Sequence, residues 1–148
     1  MINTITDKKV VSLLTPVLAN NTAEGTGVAK DRWGYGDVLM IAHVGISGDT
    51  LSGALYWTIS FQHCAVTTPG SFVDIPAGDL EGGANGWVIN EPTEDDMTIT
   101  RMYRGSLRYV RILFTQTGTH TNGTPLSAVA VMGQPNHIPV TQDTEVQA

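Results

Sequence analysis

ALYWTISFQH, residues 54–63, decides the fold class. Leu55, Trp57, Ile59, Phe61 and His63 fall on one side of this stretch; Tyr56, Thr58, Ser60 and Gln62 fall on the other. Successive side chains of a strand point to opposite faces, so the alternation predicts a β-strand with one face on a core. The second face is expected to meet solvent or a partner. Just upstream, VLMIAHV (38–44) is an almost unbroken apolar run, which predicts a central strand buried on both faces. GISGDT (45–50) joins the two, and its glycines tolerate positive φ, so a hairpin is expected there.

The same reading extends along the chain. In 107–116, Val110, Ile112 and Phe114 share one face, while Tyr109, Arg111 and Leu113 share an opposite face too apolar to be purely solvated. The preceding run, 97–104, alternates through Met97, Ile99 and Tyr103, and the Arg101–Met102 pair interrupts it, predicting a bulge. Gly105-Ser106 makes the turn of the resulting hairpin. A late strand at 126–132 follows the turn dipeptide Asn122-Gly123, and weaker strands fall at 10–14, 72–75 and 87–90. Sixteen glycines and seven prolines punctuate these short runs, and no window sustains a helical period. The expectation is an all-β fold: an antiparallel β-sandwich or jelly roll of about eight strands. It occupies 10–133, with polar arms at 1–9 and 134–148 that order on a neighbour, and a mobile acidic, glycine-rich loop at 77–86.

Composition narrows the function classes. The chain has 148 residues, enough for one domain with its own core. Eight basic and fourteen acidic side chains give a net charge of −6, which argues against nucleic acid as a partner. No apolar run reaches the ~18–20 residues of a membrane helix, so no membrane role is expected. The first twenty residues lack the basic and apolar regions of a signal peptide, and a lone cysteine, Cys64, fits synthesis in a reducing cytoplasm.

Candidate chemistry is sparse. His63 and Cys64 are adjacent, so in a strand they point apart and do not form a nucleophile–base pair. His43, His63, His120 and His137 lack the spacing of a compact zinc site. The acids Glu91, Glu94, Asp95 and Asp96 suit a solvated turn better than a calcium loop or a glycosidase carboxylate pair. No phosphate-binding loop, dinucleotide fingerprint or nucleophile elbow is present. The expectation is a non-enzyme without catalytic residues, metal or cofactor. Four of the eight basic residues, Arg101, Arg104, Arg108 and Arg111, lie within eleven positions. With Tyr109 and Leu113 they form the candidate interface, since arginine and tyrosine favour partner contacts. Trp33, Tyr35, Trp57 and Trp87 could stack on sugars, but Trp57 alternates into the core, and Trp33 and Trp87 near turns are expected to clamp the sandwich end.

Three segments carry a resemblance: TPVLANNTAEGTGV (15–28), GYGDVLMIAHVGISGDTLSGALYWTISFQHC (34–64) and YRGSLRYVRILFTQTGTHTNGTPLSAVAVMGQP (103–135). Together they resemble small virion proteins of tailed bacteriophages, described as capsid decoration, cement or head-spike-base proteins. The family pattern contains an aromatic–Gly–Gly–Lys–Arg–Tyr–Val–Arg run. Here Tyr103-Arg104-Gly105-Ser106-Leu107-Arg108-Tyr109-Val110-Arg111 matches it, with Ser106-Leu107 in place of Gly-Lys. The acidic, serine-rich turn common in the family is replaced by HCAVTTPGSF (63–72). The resemblance implies a structural protein on the capsid exterior that contacts the major capsid protein and copies of itself, as a trimer. Rivals are a head–tail connector, tail or spike-base subunit, and a carbohydrate-binding sandwich.

Overall fold

The computed structural model describes residues 7–67 and 71–137. Ten strands form the β-sandwich: β1 (Lys9–Ala19), β2 (Lys30–Asp31), β3 (Tyr35–Val44), β4 (Tyr56–Cys64), β5 (Val73–Asp74), β6 (Leu80–Glu81), β7 (Trp87–Ile89), β8 (Met97–Tyr103), β9 (Tyr109–Thr117) and β10 (Thr124–Pro135). Sheet A runs β1-β10-β3-β8-β6; sheet B runs β2-β9-β4-β5, with β7 also paired to β4. Every pairing is antiparallel. β1 begins at Lys9 and β10 ends at Pro135, so strand pairing reaches slightly into both expected arms; residues 1–6 and 138–148 lie outside the described residues.

The inward face expected for 54–63 is realised, but the second face is not left to solvent: Ser60 and Gln62 are buried as well, Gln62 between Arg111 and Asp74. Trp57, Ile59, Phe61 and His63 are buried between the sheets, against Val110, Ile112 and Phe114 of β9 and Val38, Met40, Ala42 and Val44 of β3. β3 is central in sheet A, but only one of its faces is buried. Leu39 and Ile41 are half-buried on the outer side, and His43 is exposed there. The unbroken apolar run therefore marks a central strand with an apolar outer face.

The two expected hairpins are not formed. β3 lies in sheet A and β4 in sheet B, so 45–55 crosses between sheets. β8 and β9 are divided in the same way, and Gly105-Ser106 is part of a crossing. Turn residues signal a reversal without specifying the sheet on which it lands. Backbone bonds anchor the first crossing elsewhere: Gly45 N–H donates to Pro125 O (2.8 Å) and Gly48 N–H to Gly123 O (2.9 Å). The Asp49 carboxylate then accepts the N–H groups of Thr121, Asn122 and Gly123. Next to this clamp, Trp57 Nε1–H donates to Thr124 Oγ1 (3.0 Å), which satisfies the indole inside the core.

No bulge falls at Arg101–Met102, because β3 and β8 keep one register from Val38↔Tyr103 to Val44↔Met97. Arg101 takes an inward position and satisfies its charge with carbonyl oxygens, as described below. The register shifts lie in β1, between Ser12 and Leu14 and between Leu14 and Val17.

One side of the sandwich is sewn shut by Gly25-Thr26-Gly27-Val28. Gly27 N–H donates to Ile112 O of sheet B (2.9 Å), and Val28 N–H to Leu13 O of sheet A (2.7 Å). Phe114 N–H returns a bond to Gly25 O (2.9 Å). A Cβ on Gly27 would stand 2.7 Å from Ile112 O and 2.8 Å from Leu13 O; one on Gly25 would stand 2.6 Å from Phe114 O. Only glycine lets the backbone approach both sheets this closely. Gly27→Ala is therefore expected to destabilise the fold by about 1–3 kcal/mol, read as a lower urea midpoint. Gly53→Ala, where an added Cβ meets open space, serves as the control.

Candidate functional site

The turn Asp31-Arg32-Trp33-Gly34 carries the most exposed aromatic side chain among the described residues. Trp33 is 76% exposed. Gly34 adopts φ +89, a value suited to glycine, and turns the chain into β3. Asp31 holds the turn from both directions. One carboxylate oxygen accepts Trp33 N–H (2.8 Å), and the pair of oxygens receives Arg108 through Nε (3.0 and 3.1 Å) and Nη2 (2.6 Å). The Arg108 hydrogen bond leads in drawing the Asp31 carboxyl below its ordinary value, against the opposing effect of burial. Arg108 in turn stands over the rings of Trp33 (5.4 Å) and Tyr109 (5.2 Å). The result is an aromatic–guanidinium surface in which the bidentate carboxylate orients the exposed guanidinium between the two rings.

A buried knot supports this surface. Arg32 donates to three carbonyl oxygens: Leu107 (2.8 Å), Tyr35 (2.9 Å) and Gly105 (2.6 Å). It also lies over the Tyr103 ring (5.2 Å). Tyr103 is fully buried; its hydroxyl accepts Leu107 N–H (3.0 Å) and sits 3.0 Å from His63 Nδ1. Arg32 and Tyr103 thus fix the 104–108 crossing, and with it the position of Arg108. Beside the surface lies a shallow cleft of about 250 Å3, lined by Trp33, Tyr35, Ser106, Arg108 and Asn136 among others.

The six candidate interface residues separate. Arg108 and Tyr109 belong to the surface just described. Arg111 and Leu113 follow on the outer face of β9, half-buried. Arg111 Nε–H donates to Gln62 Oε1 (2.8 Å), Gln62 donates to Asp74 (2.9 Å), and the guanidinium packs over Phe72 (4.3 Å). Arg104 lies apart, paired with Glu81 at 3.0 Å near the edge of sheet A. Arg101 departs from the expectation: it is 5% exposed and turned inward. It donates to Ala84 O (3.1 Å) and Thr100 O (2.8 Å) and lies over the Trp87 ring (5.8 Å), holding the 82–87 loop. The four arginines looked clustered because β8 and β9 were expected to pair, and they do not.

Trp33 was expected to clamp the sandwich end and instead faces outward; Trp87 is 41% exposed under Arg101. Asp31 and Arg32 had drawn no attention in the sequence. The legible signal was Asp two residues before Trp33 and a glycine after it, a pattern that builds a side-chain-bonded turn. Elsewhere, Glu94 accepts the N–H groups of Asn90 and Glu91 within its own turn, and Asp95 accepts Ser47 N–H, which ties that turn to the 45–55 crossing. His63 and Cys64 point apart: His63 faces Tyr103 inside, while Val66 N–H donates to Cys64 Sγ (3.4 Å). His137 is described without a place in any cluster; among the described residues no group of three metal-ligating side chains converges.

No family model, curated protein or solved structure matches this chain. The geometry of the surface therefore carries the functional argument.

The knot has a pH signature. Burial pushes His63 below its ordinary value of 6.5, with Asp79 opposing. Below that value the unfolded chain binds the proton more readily than the folded one. His63 thus contributes stability that is complete above about pH 6.5 and is lost as pH falls through the lower folded value. Urea midpoints are expected to fall between pH 7 and 5, and His63→Gln should flatten that decline.

Proposed function

We propose that this chain is a tailed-phage virion structural protein that docks on the outside of the capsid as a cement or decoration protein. The observation that carries the reading is the Trp33–Arg108–Tyr109 surface: a largely exposed indole and a locked guanidinium, mounted on a rigid sandwich. Tryptophan, tyrosine and arginine are the side chains that most often dominate binding energy, and pre-ordering lowers the entropy lost on docking. The resemblance of 15–28, 34–64 and 103–135 to decoration proteins supports the same reading and supplies the major capsid protein as partner. Binding would stabilise a shell by burial repeated over many copies, with no chemical step. Threefold positions of the shell are the proposed seats, and the capsid exterior is the proposed location.

Arg108, Tyr109, Arg111 and Leu113 are the contact residues in this proposal, with Trp33 added as the anchor. Arg101 is left out because it is buried, and Arg104 because Glu81 holds it elsewhere. A second reading, sugar binding, is favoured by the cleft beside Trp33, where Ser106 and Asn136 flank an exposed ring. A connector or spike-base station in the virion shares the class and differs in ring symmetry.

Co-sedimentation with capsids lacking the protein tests the proposal. Trp33→Ala is expected to weaken binding about 30-fold, the size of a typical hot-spot loss. Arg111→Glu with Leu113→Ser should weaken it as well. Capsid binding unchanged in both variants would overturn the assignment, and binding of Trp33-dependent character on a glycan array would move it to the second reading.

A further inference from the structure

The loop between β6 and β7 closes over Arg101 and leaves a hollow above it. β6 belongs to sheet A and β7 to sheet B, so residues 82–86 bridge the two sheets. Asn85 pins the bridge: its amide donates to Phe61 O (2.8 Å) and Ile75 O (3.2 Å), and its Oδ1 accepts Phe61 N–H (2.8 Å). Arg101 lies beneath, 5% exposed. Its Nε donates to Ala84 O and its Nη1 to Thr100 O, whereas Nη2 has no partner among the described residues. No carboxylate among the described residues pairs with this cation. Glu81 is held by Arg104 at 3.0 Å, and the charge of Asp79 acts on His63 and Tyr103. Burial lowers the basicity of Arg101, and no acidic group offsets the effect. A cation at such depth is ordinarily paired. Carbonyl dipoles and the Trp87 ring, 5.8 Å away, solvate this one without supplying a counter-charge.

Residue 83 keeps the guanidinium open. A Cβ there would stand 3.0 Å from Nη2 and 3.1 Å from Cζ. Glycine leaves that space to the hollow, which measures about 370 Å3 and is lined by Gly83, Ala84, Asn85, Trp87, Val88 and Arg101 among others. This is the scale of a small-molecule site. We infer that the hollow binds a small organic monocarboxylate, with its carboxylate on Arg101 Nη2 and its apolar body against Trp87 and Val88. Arginine has five N–H donors, and both hydrogens of Nη2 are left for the ligand. One negative charge neutralises the one positive charge. A phosphate dianion would leave an excess in a chain that already carries −6. Trp87 and Val88, 41% and 40% exposed, supply the apolar contact. The cation is recessed, so a slender end group reaches it and a flat protein surface does not. The inference is independent of the capsid reading, which uses none of these residues.

Titration of the full chain with benzoate, followed by heteronuclear NMR, tests it. Saturable shifts are expected at the amides of 82–88 and at the Trp87 indole, which Trp87→Phe assigns. Benzyl alcohol carries a ring without the charge, and acetate the charge without the ring. Each is expected to bind at least about tenfold more weakly than benzoate. Arg101→Gln should abolish the shifts. Because Arg101 also holds the loop, Gly83→Ala is the second variant: it fills the space beside Nη2 and should weaken binding about tenfold. Near-UV circular dichroism verifies that each variant remains folded. Absence of saturable shifts at 82–88, or benzoate binding retained in both variants, would overturn the inference. Benzyl alcohol or acetate binding as tightly as benzoate, or inorganic phosphate binding more tightly, would overturn it too.

Discussion

The sandwich depends on the close approach at Gly25 and Gly27. Packed sheets ordinarily meet only through side chains about 10 Å apart. Here four residues enter the gap between β1 and β9 and bond to the backbones of both sheets. The seam links the two sheets by backbone bonds, while the core links them by the burial of Trp57, Phe61, Met40 and Phe114 and by two side-chain contacts, Trp57 to Thr124 and His63 to Tyr103. Burial tolerates sliding; hydrogen bonds at fixed carbonyls do not. The relative placement of the sheets is therefore fixed at the seam and at the two side-chain bonds inside the core.

From the same side of the fold, the chain runs on into β2 and the Trp33 turn. The seam pairs 25–28 against β9, and β2 pairs with the start of β9 through Lys30↔Val110 and Asp31↔Tyr109. That register brings Asp31 within reach of Arg108. The exposed surface is thus a consequence of how the sheets are joined. Arg32, bonded to the Gly105 and Leu107 carbonyls of the crossing and to that of Tyr35, removes the freedom that the five-residue segment 104–108 would otherwise have.

The arginines show how environment assigns roles to one residue type. Arg101 is buried and spends its donors on carbonyl oxygens, and its ordinary basicity is lowered by burial. Arg108 keeps contact with solvent and is held by a carboxylate. Arg111 binds a neutral amide and covers an aromatic ring. Each arrangement satisfies the guanidinium differently, and only the second leaves both the guanidinium and its indole partner exposed.

Strand positions were legible because alternation over 54–63, 97–104 and 107–116 reports which side chains leave water, a local property of the chain. The inward face of β9 and the core role of Trp57 followed directly from it. The arginine–tyrosine candidates were half legible: Tyr109, Arg111 and Leu113 lie on an outward surface, as their period indicated, Arg108 reaches the surface from the crossing before β9, and Arg101, read as a break in the period, keeps it and points inward. The pairing of strands was not legible, since a glycine turn between two strands is compatible with a hairpin or with a crossing between sheets. Trp33 could not be placed either, because its exposure depends on Arg32 and Asp31 finding partners about 75 residues away in the 105–108 crossing. The sequence by itself determined an all-β chain and the faces of its strands, through a two-residue period that needs no partner. Only the tertiary structure decided which strands share a sheet and which side chains form the outer surface, because those outcomes rest on contacts between segments distant in the chain.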